Sequence, residues 1–241
     1  MFQQRIDKLR QKLIKKNIDL AIITHEDNMY YFTGYYDYLH MEFGRPTILL
    51  VPKDDKSILI TPLIDIKLVE DDAVIDKVLP WNDGVGNEWK ENLPKYLTKD
   101  KNIALEYNQI PALVRNYIYS LIDEKSIKDI TPIISEMRMI KSSEELIIAR
   151  HAGKVANAMM QAAKSVISDG IPEYEVALST SAAGTKKASE ILNKHYPNSR
   201  MSPNIHFLQI MASGNSMPLT HHRASNKLLK YGDPVFICFC G

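Results

Sequence analysis

His221 stands in a polar stretch eleven residues before the pair Gly232-Asp233, which leads into the apolar run Val235-Phe236-Ile237-Cys238-Phe239-Cys240. An imidazole with a pKa of about 6.5 takes and returns protons at neutral pH, so a histidine brought up to a buried strand suits general acid–base chemistry. Taken alone, a histidine in a polar loop is more often simply solvated, and His222 beside it is a second candidate. Arg45, in Phe43-Gly44-Arg45-Pro46, carries a guanidinium that can fork onto a carboxylate with two parallel, charge-assisted hydrogen bonds. On residue types alone, Arg45 reads as a cap at the start of a strand and Phe43 as core.

Other patterns fail a test of geometry. Gly84-Val85-Gly86 lacks the third glycine and the strand-to-helix setting of a dinucleotide fingerprint, and Gly184-Thr185-Lys186 lacks the upstream glycine of a phosphate loop. Gly214-Asn215-Ser216 is no nucleophile elbow, which needs a glycine on either side of the serine. Cys238 and Cys240 fall on one face of a strand, but without a second pair they read as small buried hydrophobes, not as a zinc site.

The elements that must position these groups follow from apolar periodicity. Phe2, Ile6, Leu9 and Leu13 recur at helical spacing. Strands are expected over residues 19–24, 47–51, 57–61, 74–79, 103–107 and 127–130, with a hairpin turn at Pro52-Lys53-Asp54-Asp55-Lys56. Helices are expected near 28–32 (closed by Gly34), 63–69, 88–97 and 112–122, which gives an α/β domain with a sheet covered by helices. Beyond Thr131 the character changes. Ser142 with Glu145 forms a capping box for a helix running to Ile167, and Pro172 opens a second helix to about Lys194. Strands near 205–211 and 235–240 follow, and the domain boundary is placed at 133/134.

At 241 residues the chain holds one large domain or two modest ones. A net charge of +1 supplies no field for nucleic acid or an anionic membrane, and the 45% apolar and 24% charged fractions are those of a globular protein. No apolar stretch approaches the roughly 18 residues of a spanning helix. The charged amphipathic start is no signal peptide, and two cysteines make no disulfide framework, so a cytoplasmic protein is expected.

Several stretches together resemble the creatinase and proline-specific aminopeptidase superfamily, the "pita-bread" hydrolases. They are Asn28-Met29-Tyr30-Tyr31-Phe32-Thr33-Gly34, the run Met137 to Glu145, Gly170-Ile171-Pro172-Glu173-Tyr174-Glu175-Val176-Ala177, and Ser213-Gly214 … His221 … Gly232-Asp233. The resemblance covers nearly the whole chain in order. It implies a creatinase-type N-terminal domain over 1–133, a mixed sheet with helices. The first part of a pita-bread α+β catalytic domain would follow over 134–241, with its C-terminal half beyond Gly241.

The same resemblance implies roles. His221 aligns with the active-site histidine. Peptidase members hold two metal ions through two aspartates, a histidine and two glutamates, and the first aspartate lies six residues after the glycine of Gly-Asp. Here that residue is Cys238, a soft ligand poorly suited to replace a bridging carboxylate. Creatinase, the metal-free branch, also lacks an aspartate there. Phe43-Gly44-Arg45-Pro46 matches the creatinase segment whose phenylalanine and arginine reach the partner subunit's site and hold a substrate carboxylate, which implies a homodimer. The leading expectation is a creatinase-like hydrolase of a non-peptide C–N bond in a small carboxylate-bearing compound, without cofactor, nucleic acid or membrane partner. A metal-dependent proline-specific aminopeptidase or dipeptidase with two Mn²⁺ or Co²⁺ ions is the alternative. A non-catalytic dimerisation module is the third reading, and residues 1–241 alone are expected to show poor solubility and no turnover.

Overall fold

Helix and strand succeed one another through the first 140 residues because the apolar period switches repeatedly between about 3.6 and 2. The computed structural model describes residues 1–36, 44–84, 87–204, 208–219 and 221–240, the side chains of 208, 209 and 240 set aside. Two compact units result, Met1–Ile140 and Lys141–Gly241.

In the first unit, helix α1 (Phe2–Lys15) buries Ile6, Leu9 and Leu13 along one stripe. It is followed by β1 (Leu20–Ile23), α2 (Glu26–Thr33), β2 (Ile48–Pro52), β3 (Ile58–Pro62), α3 (Ile66–Asp72) and β4 (Lys77–Trp81). Then come β5 (Ile103–Leu105), α4 (Ala112–Leu121), β6 (Lys128–Asp129) and α5 (Thr131–Met139). The strands form one mixed sheet in the order β4-β3-β2-β1-β5-β6. β2 is antiparallel to both β1 and β3, and the remaining neighbours are parallel.

Both faces of this sheet are covered, so its central strands are unbroken apolar runs instead of alternating ones. Ala21, Ile23, Leu49, Val51 and Leu59 face one core with Ile6, Leu9, Leu13, Phe32, Ile134 and Met137. Leu20, Ile22, Ile48, Leu50 and Ile60 face the other with Trp89, Val114 and Ile118. The segment expected as a helix over 88–97 contracts to a 3₁₀ turn, Glu88–Asn92, pinned by the fully buried Trp89. Gly34 closes α2 at φ +82°, its N–H donating to the Tyr30 carbonyl at 2.8 Å.

The division between units falls at Ile140/Lys141, within the stretch 131–141 where the sequence changes character and a few residues beyond the 133/134 boundary placed in it. The cause is α5. Ile134 and Met137 are buried in the first core, and the Tyr31 hydroxyl donates to the Met137 carbonyl at 3.1 Å.

The second unit pairs two long helices, α6 (Ser143–Val166) and α7 (Glu173–His195), through Val155, Met159, Ala188 and Ile191. Ser142 caps α6 reciprocally: its Oγ accepts from Glu145 N at 3.3 Å, and its own N–H donates to the Glu145 carboxylate at 2.8 Å. Such a cap contributes about 1 kcal/mol. Strands β7 (Leu208–Ser213) and β8 (Val235–Cys240) form an antiparallel pair whose Met211, Val235 and Ile237 pack with Ala163 and Val176 of the helices. No helix among the described residues is long and apolar enough to cross a membrane.

Candidate functional site

The register of β7 and β8 sets Ser213 opposite Val235, Met211 opposite Ile237, and Ile210 opposite Cys238. Because side chains alternate along a strand, Cys238 shares its face with Phe236, Ile210 and Ala212, away from the face that packs on α6 and α7. Cys238 itself is half-buried. At the end of the strand pair, Gly214 donates its N–H to the Pro234 carbonyl at 3.0 Å. Gly214 has φ +48°, and a Cβ there would lie 2.7 Å from the carboxyl carbon of Asp233. The two short motifs Ser213-Gly214 and Gly232-Asp233 therefore meet at one corner.

Beneath that corner lies Glu173, the first residue of α7, fully buried. Its carboxylate accepts from Ser213 Oγ at 2.6 Å, Ser225 Oγ at 2.6 Å and Ser225 N at 3.1 Å. Burial opposes ionisation, but those hydrogen bonds and the nearby His222 outweigh it and hold the carboxyl below its ordinary value. The start of α7 also finds its backbone partners in the same loop. Glu173 N donates to Lys227 O at 2.9 Å and Tyr174 N to Ser225 O at 3.1 Å, which satisfies first-turn amides that have no partner inside the helix. Lys227 Nζ in turn bonds the Ser213 carbonyl oxygen, and Asn215 Oδ1 at 2.9 Å.

The two adjacent histidines diverge. His222 turns inward: its carbonyl accepts from Met211 N at 3.0 Å, and its Nδ1 lies 2.8 Å from the Met211 carbonyl oxygen. Glu173 Oε2 is 3.8 Å from the same ring nitrogen. His221, on the same segment, is solvent-exposed. The structure thus puts the expected proton-transfer histidine on a loop tied to β7 by its neighbour.

Arg45 belongs to the first unit, just ahead of β2, and forms an ion pair with Asp83, its side chain 43% exposed. Asp65 lies within the field of Arg45; burial raises its carboxyl, and the guanidinium pulls it part of the way back. Phe43 lies outside the described residues.

Sequence reasoning missed two buried carboxylates. One is Glu173. The other is Glu106, fully buried just beyond β5, which accepts from Thr24 N at 2.7 Å, His25 N at 3.0 Å and Asn28 Nδ2 at 2.5 Å and so ties the chain leading into α2 to the end of β5. Arg138 of α5 bonds the other side of the Asn28 amide. The faint sequence signal for Glu173 was an acid at a helix start after proline, a pattern equally served by an exposed side chain. Among the described residues, no three His, Cys, Asp or Glu side chains gather as a metal-binding group.

Comparison with known proteins gives matches along nearly the whole chain. Residues 5–140 match the creatinase/prolidase N-terminal domain, and residues 148–241 match metallopeptidase family M24. Creatinase of Bacillus sp. (strain B-0618) is 25% identical over 98% of this chain and 56% of its own length. An uncharacterized peptidase of Staphylococcus epidermidis is 25% identical over 71% of this chain and 47% of its own length. The chain therefore spans about half the length of these curated relatives. Among solved structures, prolidase from Pyrococcus horikoshii OT3 superposes with TM-score 0.76 at 22% identity, covering 98% of this chain and 60% of that one. An Xaa-Pro dipeptidase from Bacillus anthracis gives TM-score 0.75 at 20% identity, covering 99% and 61%. At these identities the superpositions establish a common fold.

Proposed function

The chain belongs to the family defined by the creatinase/prolidase N-terminal domain, and from that premise we propose for it a creatinase-like hydrolase activity on a non-peptide C–N bond. The substrate is a small compound bearing a carboxylate and an amidino or amide carbon. The observation that carries this reading is Cys238, a half-buried residue on the strand face of Ile210, Ala212 and Phe236, at the position where the family's peptidases need their first metal-binding aspartate. The M24 match raises the question of a metal pair. Mn²⁺ or Co²⁺ at such a pair prefers hard oxygen donors, and a thiol does not supply one. Cys238 does not fit that pair, and the proposed reaction uses the chain's own groups.

His221 takes a proton from water, the resulting hydroxide adds to the amidino or amide carbon, and the C–N bond breaks as the imidazolium returns the proton to the leaving nitrogen. Arg45 of the partner subunit holds the substrate carboxylate in a homodimer, with Phe43 beside it. Within its own chain Arg45 pairs with the Asp83 carboxylate at a half-exposed position, an anion contact that supports this reading of the guanidinium.

A second reading, a metal-dependent Xaa-Pro dipeptidase, is favoured by the fold shared with the prolidase and dipeptidase structures. One assay separates the two. A chain extended to the length of these relatives is tested on amidino carboxylates, creatine among them, and on Xaa-Pro dipeptides, with and without a chelator. Turnover of the amidino compound that survives the chelator and falls by about 100-fold or more in His221→Ala is the expected result. Chelator-sensitive cleavage of Xaa-Pro dipeptides restored by Mn²⁺ or Co²⁺ would overturn it.

A further inference from the structure

Among the described residues none bonds the exposed His221 side chain, yet the residue after it is held through both its backbone and its ring. The His222 carbonyl accepts the Met211 N–H at 3.0 Å, and the His222 ring faces the Met211 carbonyl oxygen at 2.8 Å. A carbonyl oxygen only accepts, so His222 Nδ1 carries the hydrogen in that contact, and the neutral ring is the Nδ1–H tautomer. Both backbone polar groups of Met211 that β8 leaves unused are consumed by this one residue. Behind it, the fully buried Glu173 carboxylate gathers donors from β7, through Ser213, and from the loop, through the hydroxyl and N–H of Ser225.

We propose that Glu173 and His222 are positioning residues: together they clamp residues 221–229 against β7 and the start of α7 and so fix where the exposed His221 imidazole is presented. This inference rests on the assignment of proton transfer to His221 given above. Three donors converge on one carboxylate, and the helix amides at Glu173 and Tyr174 close on the same loop through the Lys227 and Ser225 carbonyls, so the loop cannot shift without stranding buried polar groups. A neutral amide in place of Glu173 could still accept from Ser225 and donate to the Ser213 hydroxyl, but it would lose the charge that strengthens all three hydrogen bonds.

The test is made by NMR on a ¹⁵N-labelled chain extended to the length of the relatives above. Imidazole ¹⁵N spectra above about pH 8, where neutral histidine prevails, should show His222 as the Nδ1–H tautomer. Backbone amide exchange should be slow at Met211 and Ser225, and Glu173→Gln should quicken both by about tenfold or more. His222→Asn, whose side-chain N–H takes the place of Nδ1–H, should keep Met211 protected, whereas His222→Leu should release it. An Nε2–H tautomer at His222, or Met211 exchange unchanged in both Glu173→Gln and His222→Leu, would overturn the proposal. If Glu173→Gln unfolds the second unit, Ser225→Ala decides the point: faster Met211 exchange supports the clamp and unchanged exchange refutes it. None of these readouts needs turnover, so a failure of hydrolysis would count against the role of His221 and leave the clamp to be judged separately.

Discussion

Asp233 fills the space that a side chain on Gly214 would need: a Cβ built there lies 2.7 Å from the Asp233 carboxyl carbon and 2.7 Å from its Oδ2. Gly214 also sits at φ +48°, where residues with a Cβ are strained. Gly214→Ala is expected to destabilise the second unit by about 1–3 kcal/mol, since the methyl must displace the carboxylate and accept the left-handed backbone. Denaturant unfolding measures the cost. Adding Asp233→Ala should recover the steric part and leave the backbone part, so an additive double variant would show that the two residues do not share this corner.

The two buried glutamates should respond to pH with opposite sign. Burial pushes Glu106 above the ordinary 4.5, against the pull of the Thr24 and His25 amides and Asn28. The folded state therefore holds that proton more tightly than the unfolded chain. Its contribution to stability is complete below about pH 4.5 and is lost as pH rises through the raised folded value. Glu173 is held below its ordinary value by its serine donors in spite of burial, so its contribution is present above about pH 4.5 and is lost as pH falls through the depressed folded value. Comparing the wild-type chain with Glu106→Gln and with Glu173→Gln, by thermal unfolding between about pH 3 and 7, isolates each slope. Equal signs for the two difference curves would contradict this account.

Arg45 separates stability from recognition. Its pair with Asp83 is partly exposed and should contribute under about 1 kcal/mol, so Asp83→Asn and Arg45→Ala are expected to leave the unfolding midpoint nearly unchanged. In the extended chain Arg45→Ala should raise KM for a carboxylate substrate by about tenfold or more, and Arg45→Lys should recover only part of that, because an ammonium cannot make the bidentate fork. A KM unmoved by Arg45→Ala would remove the arginine from substrate binding.

Local signals carried much of the fold. The spacing of Ile6, Leu9 and Leu13 defined α1, Ser142 with Glu145 announced α6, and the unbroken runs Leu20 to Ile23 and Ile48 to Val51 marked strands buried on both faces. Each depends on residues a few positions apart, where sequence distance and spatial distance agree. The spacing from His221 through Gly232-Asp233 to Cys238 was legible for the same reason, since it lies along one loop and the strand that follows it. The allegiance of α5 was not legible: its apolar residues suit either neighbour, and only the position of the first core draws Ile134 and Met137 into it.

By itself the sequence determined most of the helices and strands, the family, and the candidate residues His221, Arg45 and Cys238. Tertiary structure alone decided which polar side chains are interior. Glu173 reads as an ordinary first-turn acid, and Glu106 as the end of a short strand. Their donors come from far along the chain, Ser213 and Ser225 at separations of 40 and 52 residues, Thr24 and Asn28 at 82 and 78. A buried carboxylate is tolerable only where folding has already brought such donors to it, and that convergence has no local signature. The same holds for the adjacent histidines. Their residue type is identical, and it is the Met211 backbone, reached across the loop, that turns His222 inward while His221 stays exposed.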